Sequence, residues 1–181
     1  MPEKDVTQLA WKIELLLMDV DGVLTDGSLL LVPMPDGSVV EAKSFSVNDG
    51  AALAMARRAG LKIGIISGRS SAALSRRAEE LKVDFFYHGL GRKKAPALNE
   101  ILTQTRLPKD RVCYVGDDVQ DLPVFSGVGF PVAVSNASAE VAARAAYVTR
   151  AAGGQGAIRE VVELILRAQG KWEDALKEFA D

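Results

Sequence analysis

Two aspartates, Asp19 and Asp21, close the apolar run LLLMDVDG at Leu15–Gly22. A carboxylate at the end of a buried segment is costly unless something compensates for its charge. Asp117 and Asp118 follow a second apolar run, VCYVG, and Asp121 lies three residues further on. Carboxylates on one rim repel each other unless a cation sits among them, and ligands that are all oxygen suit a hard ion, Mg²⁺ above all. A zinc site has no cluster to draw on, because the chain holds one histidine, His88, and one cysteine, Cys113. Ser67-Gly68-Arg69 and the pair Lys93-Lys94 add a hydroxyl, glycine-flanked backbone N–H groups and cations. With Mg²⁺, such groups suit a phosphoryl group, whose charge spreads over three oxygens. A carboxylate can attack phosphorus directly and form an aspartyl-phosphate. A second carboxylate two residues away can protonate the leaving oxygen and later activate water.

The elements that must hold these residues alternate along the chain. Glu14–Val20 reads as a buried strand. Ser28–Val32 and Ser38–Phe45 flank the turn Pro33-Met34-Pro35-Asp36-Gly37 and predict a hairpin. Asp49–Ala59 predicts a helix capped by Asp49 and stopped by Gly60. Strand-like runs follow at Leu61–Ile66, Asp84–Tyr87, Arg111–Gly116, Val128–Val134 and Tyr147–Thr149. Helical patterns lie between and after them at Ser70–Leu81, Lys94–Thr105, Val119–Phe125, Ala137–Arg144 and Ala157–Gln169. Short apolar strands alternating with helices predict an α/β, Rossmann-like doubly wound parallel sheet. Ligands in such folds gather at the carboxyl ends of the strands. Asp19 and Asp21, Ser67-Gly68-Arg69, the segment from His88 to Lys94, and Gly116-Asp117-Asp118 follow four different strands, so all four would reach one edge.

Composition narrows the class. A net charge of -2 gives no reason to expect nucleic acid or an anionic membrane as a partner. One cysteine permits no internal disulfide and is compatible with a reducing compartment; Cys113, inside an apolar strand, reads as inert core. MPEKDVTQLAWKIE lacks the apolar stretch of a signal peptide, and no segment approaches the ~18 apolar residues of a membrane span. The expectation is a cytoplasmic protein with one domain over 1–170, a hairpin at about 27–45, and a tail over 171–181.

D-V-D-G-V-L-T-D (Asp19–Asp26), I-S-G-R-S (Ile66–Ser70), the lysine after Tyr87-His88-Gly89, and G-D-D-x-x-D-L-P (Gly116–Pro123) resemble the four motifs of the haloacid dehalogenase superfamily of phosphohydrolases. Phe45-Ser46-Val47-Asn48-Asp49-Gly50 and Tyr147-Val148-Thr149-Arg150, before a glycine pair, bring the likeness closer to one branch, the 3-deoxy-D-manno-octulosonate 8-phosphate phosphatases of lipopolysaccharide precursor synthesis. The likeness runs from about Leu15 to Gly170. It implies Asp19 as nucleophile and Asp21 as general acid/base that lends Mg²⁺ only its backbone carbonyl. Asp117 would bind Mg²⁺ by its side chain, with Asp118 and Asp121 in support. Ser67 and Gly68 would hold phosphate, with Asn48 on the substrate side. Arg69 would grip a substrate carboxylate as a bidentate pair. Two positions depart from the family pattern: Arg92 stands where an acidic residue usually precedes the motif lysine, and His88 where glutamine is common. Register from Gly89 places the catalytic lysine at Lys93, with Lys94 as its competitor.

Bland readings stand beside these. Ser67 would serve equally as a helix cap, and Asp121 as a solvated carboxylate at a helix start. The spacing of Trp172, Leu176 and Phe179 reads as a helix face docked on protein. No cap domain fits between the motifs, so water must be excluded from the site by something else. In the resembled branch, hairpins assemble a homotetramer and C-terminal tails reach a neighbouring site. The run Leu29–Val32 suits such an interface. Two other functions fit the residues: a phosphatase for an acylneuraminate or related nonulosonate 9-phosphate, and a non-enzymatic phosphoacceptor.

Overall fold

The structure, a computed structural model, describes residues 3–177 and the side chains of 6–177. Six strands form one parallel sheet: β1 (Leu15–Met18), β4 (Lys62–Ile66), β5 (Phe85–Tyr87), β6 (Val112–Gly116), β7 (Phe130–Ala133) and β8 (Tyr147–Val148), in the order β5-β4-β1-β6-β7-β8. The chain winds outward from β1 in both directions, so its centre is the switch point where such sheets open a crevice. All four β1 residues are fully buried, because helices cover both faces. Leu16 and Met18 face one layer, and Leu15 and Leu17 the other. Truncating one of these leucines to alanine would cost about 2–5 kcal/mol through lost transfer energy and the cavity left behind.

The first layer contains α1 (Glu3–Trp11), α2 (Val47–Arg58), α3 (Ala72–Leu81), α7 (Ala157–Ala168) and α8 (Trp172–Lys177). The second contains α4 (Ala95–Thr105), α5 (Leu122–Phe125) and α6 (Ala139–Ala142). Strands β2 (Leu30–Pro33) and β3 (Val39–Ala42) pair antiparallel as a separate hairpin, as the turn residues predict. Parallel sheet, hairpin and absence of a cap agree with the sequence reading. Trp172 and Ala175 join the first core; Phe179 lies outside the described residues.

Local differences have physical causes. The spacing of Val6, Leu9 and Ala10 gives α1 an apolar face against α7, a helix the sequence reading did not include. Helix α2 begins two residues earlier than expected, and its cap is Ser46, whose Oγ accepts from Asp49 N. Asp49 is instead buried, and its Oδ1 accepts from Arg159 N at 2.8 Å, tying α2 to α7. Helix α3 is capped by Ser71, which leaves Ser67 free of that duty. Among the described residues no helix is long and apolar enough to cross a membrane.

Candidate active site

Asp19 leaves the end of β1 with its N–H donating to Val115 O of β6 at 3.0 Å, so the sheet ladder itself aims the first carboxylate. The turn that follows is held from within. Buried Thr25 accepts from Gly22 N and Gly27 N through Oγ1, and the same hydroxyl donates to Val20 O. Gly22 has φ +86°, and a Cβ there would lie 2.0 Å from Asp117 Oδ2. Only glycine allows the turn after β1 to approach the carboxylate after β6. From the far end of the chain, Gly153 packs so closely that a Cβ would lie 1.7 Å from Gly22 O, and Gly154 N donates to Val23 O.

The charged centre is compact. Lys94 Nζ lies 2.7 Å from Asp19 Oδ2 and 2.7 Å from Asp121 Oδ1, with the lysine buried. Burial pushes the Lys94 pKa down, but the two carboxylates outweigh it and hold the ammonium charged. Asp121 is fully buried and saturated. Its Oδ1 also accepts from Tyr114 Oη at 2.6 Å, and its Oδ2 accepts from the backbone N–H of Asp117 and Asp118. The solvated helix-start reading of Asp121 therefore fails: four donors fix it as the brace beneath the site.

Asp19, Asp117 and Asp121 bring carboxylate oxygens within 4.8 Å of one another. Burial pushes Asp19 up to about 7 against the pull of Lys94. Burial, then the charges of Asp19 and Asp121, push Asp117 up to about 7. Asp117 Oδ1 is buried with no hydrogen-bond partner. An orphaned acceptor among crowded carboxylates is the environment a hard divalent cation relieves. With Asp121 saturated, Asp19 and Asp117 are the side chains left for such an ion.

These groups floor a cleft of about 360 Å³ that Gly68, Arg69, Gly91 and Arg92 also line. Ser67 is buried at its edge, its N–H donating to Tyr87 O and its Oγ accepting from Arg69 N. Asp21 lines the same cleft as Asp19, and its carboxylate meets two cations. Lys43 Nζ hydrogen-bonds Oδ1, and Arg69 Nε lies 3.6 Å from Oδ2. Glu41 bridges the same two cations, 2.9 Å from Lys43 and 2.5 Å from Arg69.

Asp19, Asp21, Gly68, Arg69, Asp117 and Asp118 thus share one cleft, with Ser67 beside it and Asp121 below. Two expected residues do not join them. Lys93 is exposed, and the buried lysine is its neighbour Lys94. The loop before them turns at Gly89 and Gly91, both with positive φ, and directs the second lysine inward. Asn48 is exposed on the first turn of α2 and does not line the cleft. Lys43 and Tyr114 escaped the sequence reading. Nothing marks a lysine beside a hairpin, but a tyrosine hydroxyl inside an apolar strand needs a partner and is a usable signal.

The haloacid dehalogenase-like hydrolase family matches residues 89–161 of the chain. The chain is 40% identical over 171 residues to 3-deoxy-D-manno-octulosonate 8-phosphate phosphatase KdsC of Escherichia coli strain K12, covering 94% of this chain and 88% of that protein. Among solved structures it resembles the same phosphatase from Moraxella catarrhalis, in complex with a magnesium ion, a phosphate ion and KDO. There the TM-score is 0.90 at 36% identity, over 98% of this chain and 99% of that one. A probable YrbI-family phosphatase from Pseudomonas syringae pv. phaseolica 1448a superposes with a TM-score of 0.91 at 41% identity, over 99% of each chain.

Proposed function

We propose a reaction from one premise: the chain belongs to the haloacid dehalogenase-like hydrolases, among the 3-deoxy-D-manno-octulosonate 8-phosphate (KDO 8-phosphate) phosphatases. It is a Mg²⁺-dependent phosphomonoesterase that hydrolyses KDO 8-phosphate to KDO and phosphate. The observation that carries this reading is the buried Asp19–Lys94–Asp121 cluster, with Asp117 Oδ1 unpartnered beside it.

Asp19 and Asp117 would hold Mg²⁺ by their carboxylates and Asp21 by its backbone carbonyl. The ion offsets the charge of the phosphoryl oxygens and lets three acids share one rim. With Lys94 on Oδ2, Asp19 presents Oδ1 to phosphorus. Attack forms the Asp19–phosphorus bond and breaks the bond to the sugar oxygen, which takes a proton from the Asp21 carboxyl. Water then attacks the aspartyl-phosphate, gives its proton to Asp21, and releases phosphate as Asp19 is restored. Lys94 balances charge on Asp19 throughout, and Asp121, anchored by Tyr114, keeps Lys94 in place. Ser67 and Gly68 receive phosphoryl oxygens. Arg69, half exposed at the rim, offers its fork to the substrate's carboxylate.

The hairpin completes the enzyme. Leu29, Leu30, Leu31, Val39 and Val40 are exposed on an arm whose strands pair only with each other. Such an apolar surface calls for burial against other copies. A homotetramer built through the hairpins in the cytoplasm would do this and help to cover a cleft that lacks a cap.

The deciding experiment measures phosphate release from KDO 8-phosphate, a nonulosonate 9-phosphate and neutral sugar phosphates, with and without Mg²⁺. KDO 8-phosphate is expected to give the highest kcat/KM, and only with the metal. Asp19→Asn is expected to abolish turnover with the fold intact. Preference for another substrate, or activity in that variant, overturns the reading.

A further inference from the structure

We propose that Lys43 is a positioning residue for Asp21, through which the hairpin sets the geometry of proton transfer. The inference rests on the phosphatase reading above.

Lys43 directly follows β3, on the strand that returns from the hairpin. Its side chain is 1% exposed, which is rare for a lysine and tolerable only with charged partners. Those partners are Asp21 and Glu41. Burial pushes Lys43 down, but the hydrogen bond to Asp21 and the charge of Glu41 outweigh this and keep it charged.

Asp21, Lys43, Glu41 and Arg69 form a ring of alternating charge. The two cations of the ring differ in kind. Arg69 is half exposed, stands 3.6 Å from Asp21, and lines the cleft, where it can turn toward an incoming anion. Lys43 keeps its side chain covered, bonds Asp21 directly, and is not part of the cleft lining. When substrate engages Arg69, Lys43 is the cation that stays with Asp21. A general acid needs a fixed position relative to the leaving oxygen, because errors on the order of 1 Å cost rate steeply. Glu41 anchors Lys43 from within β3 itself, so the placement of Asp21 depends on the hairpin being formed and seated.

A leaving group that needs protonation depends on Asp21, and one that departs readily as an anion does not. The test compares kcat/KM for an alkyl phosphate, KDO 8-phosphate, with that for p-nitrophenyl phosphate in Lys43→Met and in Lys43→Gln. The expected result is a fall of about tenfold or more on the alkyl ester and less than about threefold on the aryl ester, with partial recovery in Lys43→Arg. The ratio of the two values does not depend on how much of a preparation is folded, and the glutamine variant serves if the methionine variant gives no soluble protein. An equal fall on both substrates, or no fall on either, overturns the inference. Wild-type protein that hydrolyses neither ester overturns the phosphatase reading instead.

Discussion

Lys94 Nζ sits midway between Asp19 and Asp121, 2.7 Å from a carboxylate oxygen of each. One buried cation therefore serves the proposed nucleophile and the brace beneath it. Removing the cation leaves two like charges facing each other across a desolvated gap. Lys94→Met is expected to lower kcat by about a thousandfold or more, roughly 4 kcal/mol of transition-state stabilisation. Lys93→Ala, at an exposed position, should change kcat less than about twofold. Phosphate-release kinetics on both variants decide between the adjacent lysines.

Tyr114 has no access to solvent, and its hydroxyl donates to Asp121. Tyr114→Phe deletes that donor and keeps the ring. A hydrogen bond to a charged group contributes roughly 1.5–3 kcal/mol, so if half of it reaches the transition state, kcat should fall roughly fourfold to twelvefold. KM should change little, since the ring lies under the floor of the cleft. A variant as fast as wild type would show that Asp121 needs no anchor.

Asp117 and Mg²⁺ give a pH dependence with a definite sign. Burial and neighbouring carboxylates push Asp117 up to about 7 in the folded protein, above its unfolded value. Between the unfolded and folded values the native state holds the extra proton. The metal-free protein therefore loses stability as pH rises through that window, and the loss is complete above about pH 7. Magnesium bound at Asp117 would take the place of the proton, so its stabilisation should grow with pH; at a hundredfold excess over Kd it is worth about 2.7 kcal/mol. Thermal melting at about pH 5 and about pH 8, with and without the ion, checks this: a larger rise at the lower pH contradicts it.

Gly22→Ala places a methyl group on Asp117 Oδ2 and strains a backbone at φ +86°. Activity should drop by about a hundredfold, and more Mg²⁺ should be needed for half-maximal rate, because the side chain displaced is the proposed metal ligand. Titration of the rate with Mg²⁺ separates this from a simple loss of folded enzyme, which leaves the half-saturating concentration unchanged.

Replacing Leu30, Leu31 and Val40 together by serine should yield monomers in light scattering. All three are exposed, so the fold itself loses little by the change. A tetramer that survives the triple change assembles through some other surface.

The sheet and three of its acids were legible because their signals are local: an apolar run, a carboxylate and a glycine stand next to each other at Asp19–Gly22 and at Val115–Asp117. Helix α1 was legible in principle, since Val6, Leu9 and Ala10 keep helical spacing, but its polar composition concealed it. The choice between Lys93 and Lys94 was not legible. Two glycines with positive φ turn the loop before them, and side-chain direction cannot be counted through such a turn. Asp49 looked like a cap because it is an acid at a helix start; Ser46 outcompetes it there, and Arg159 N gives it a partner from a helix far along the chain. Lys43 is the extreme case, since its meaning comes wholly from a hairpin that folds back over Asp21.

The contact between Gly153 and the Gly22 turn links synthesis to activity. Asp19 leaves the ribosome well before Gly153, which presses its turn into shape. Until Gly153 has emerged, a nascent chain carries Asp19 without the means to aim it. Phosphatase activity should therefore appear abruptly once the Gly153 segment has emerged, rather than accumulate as the sheet grows.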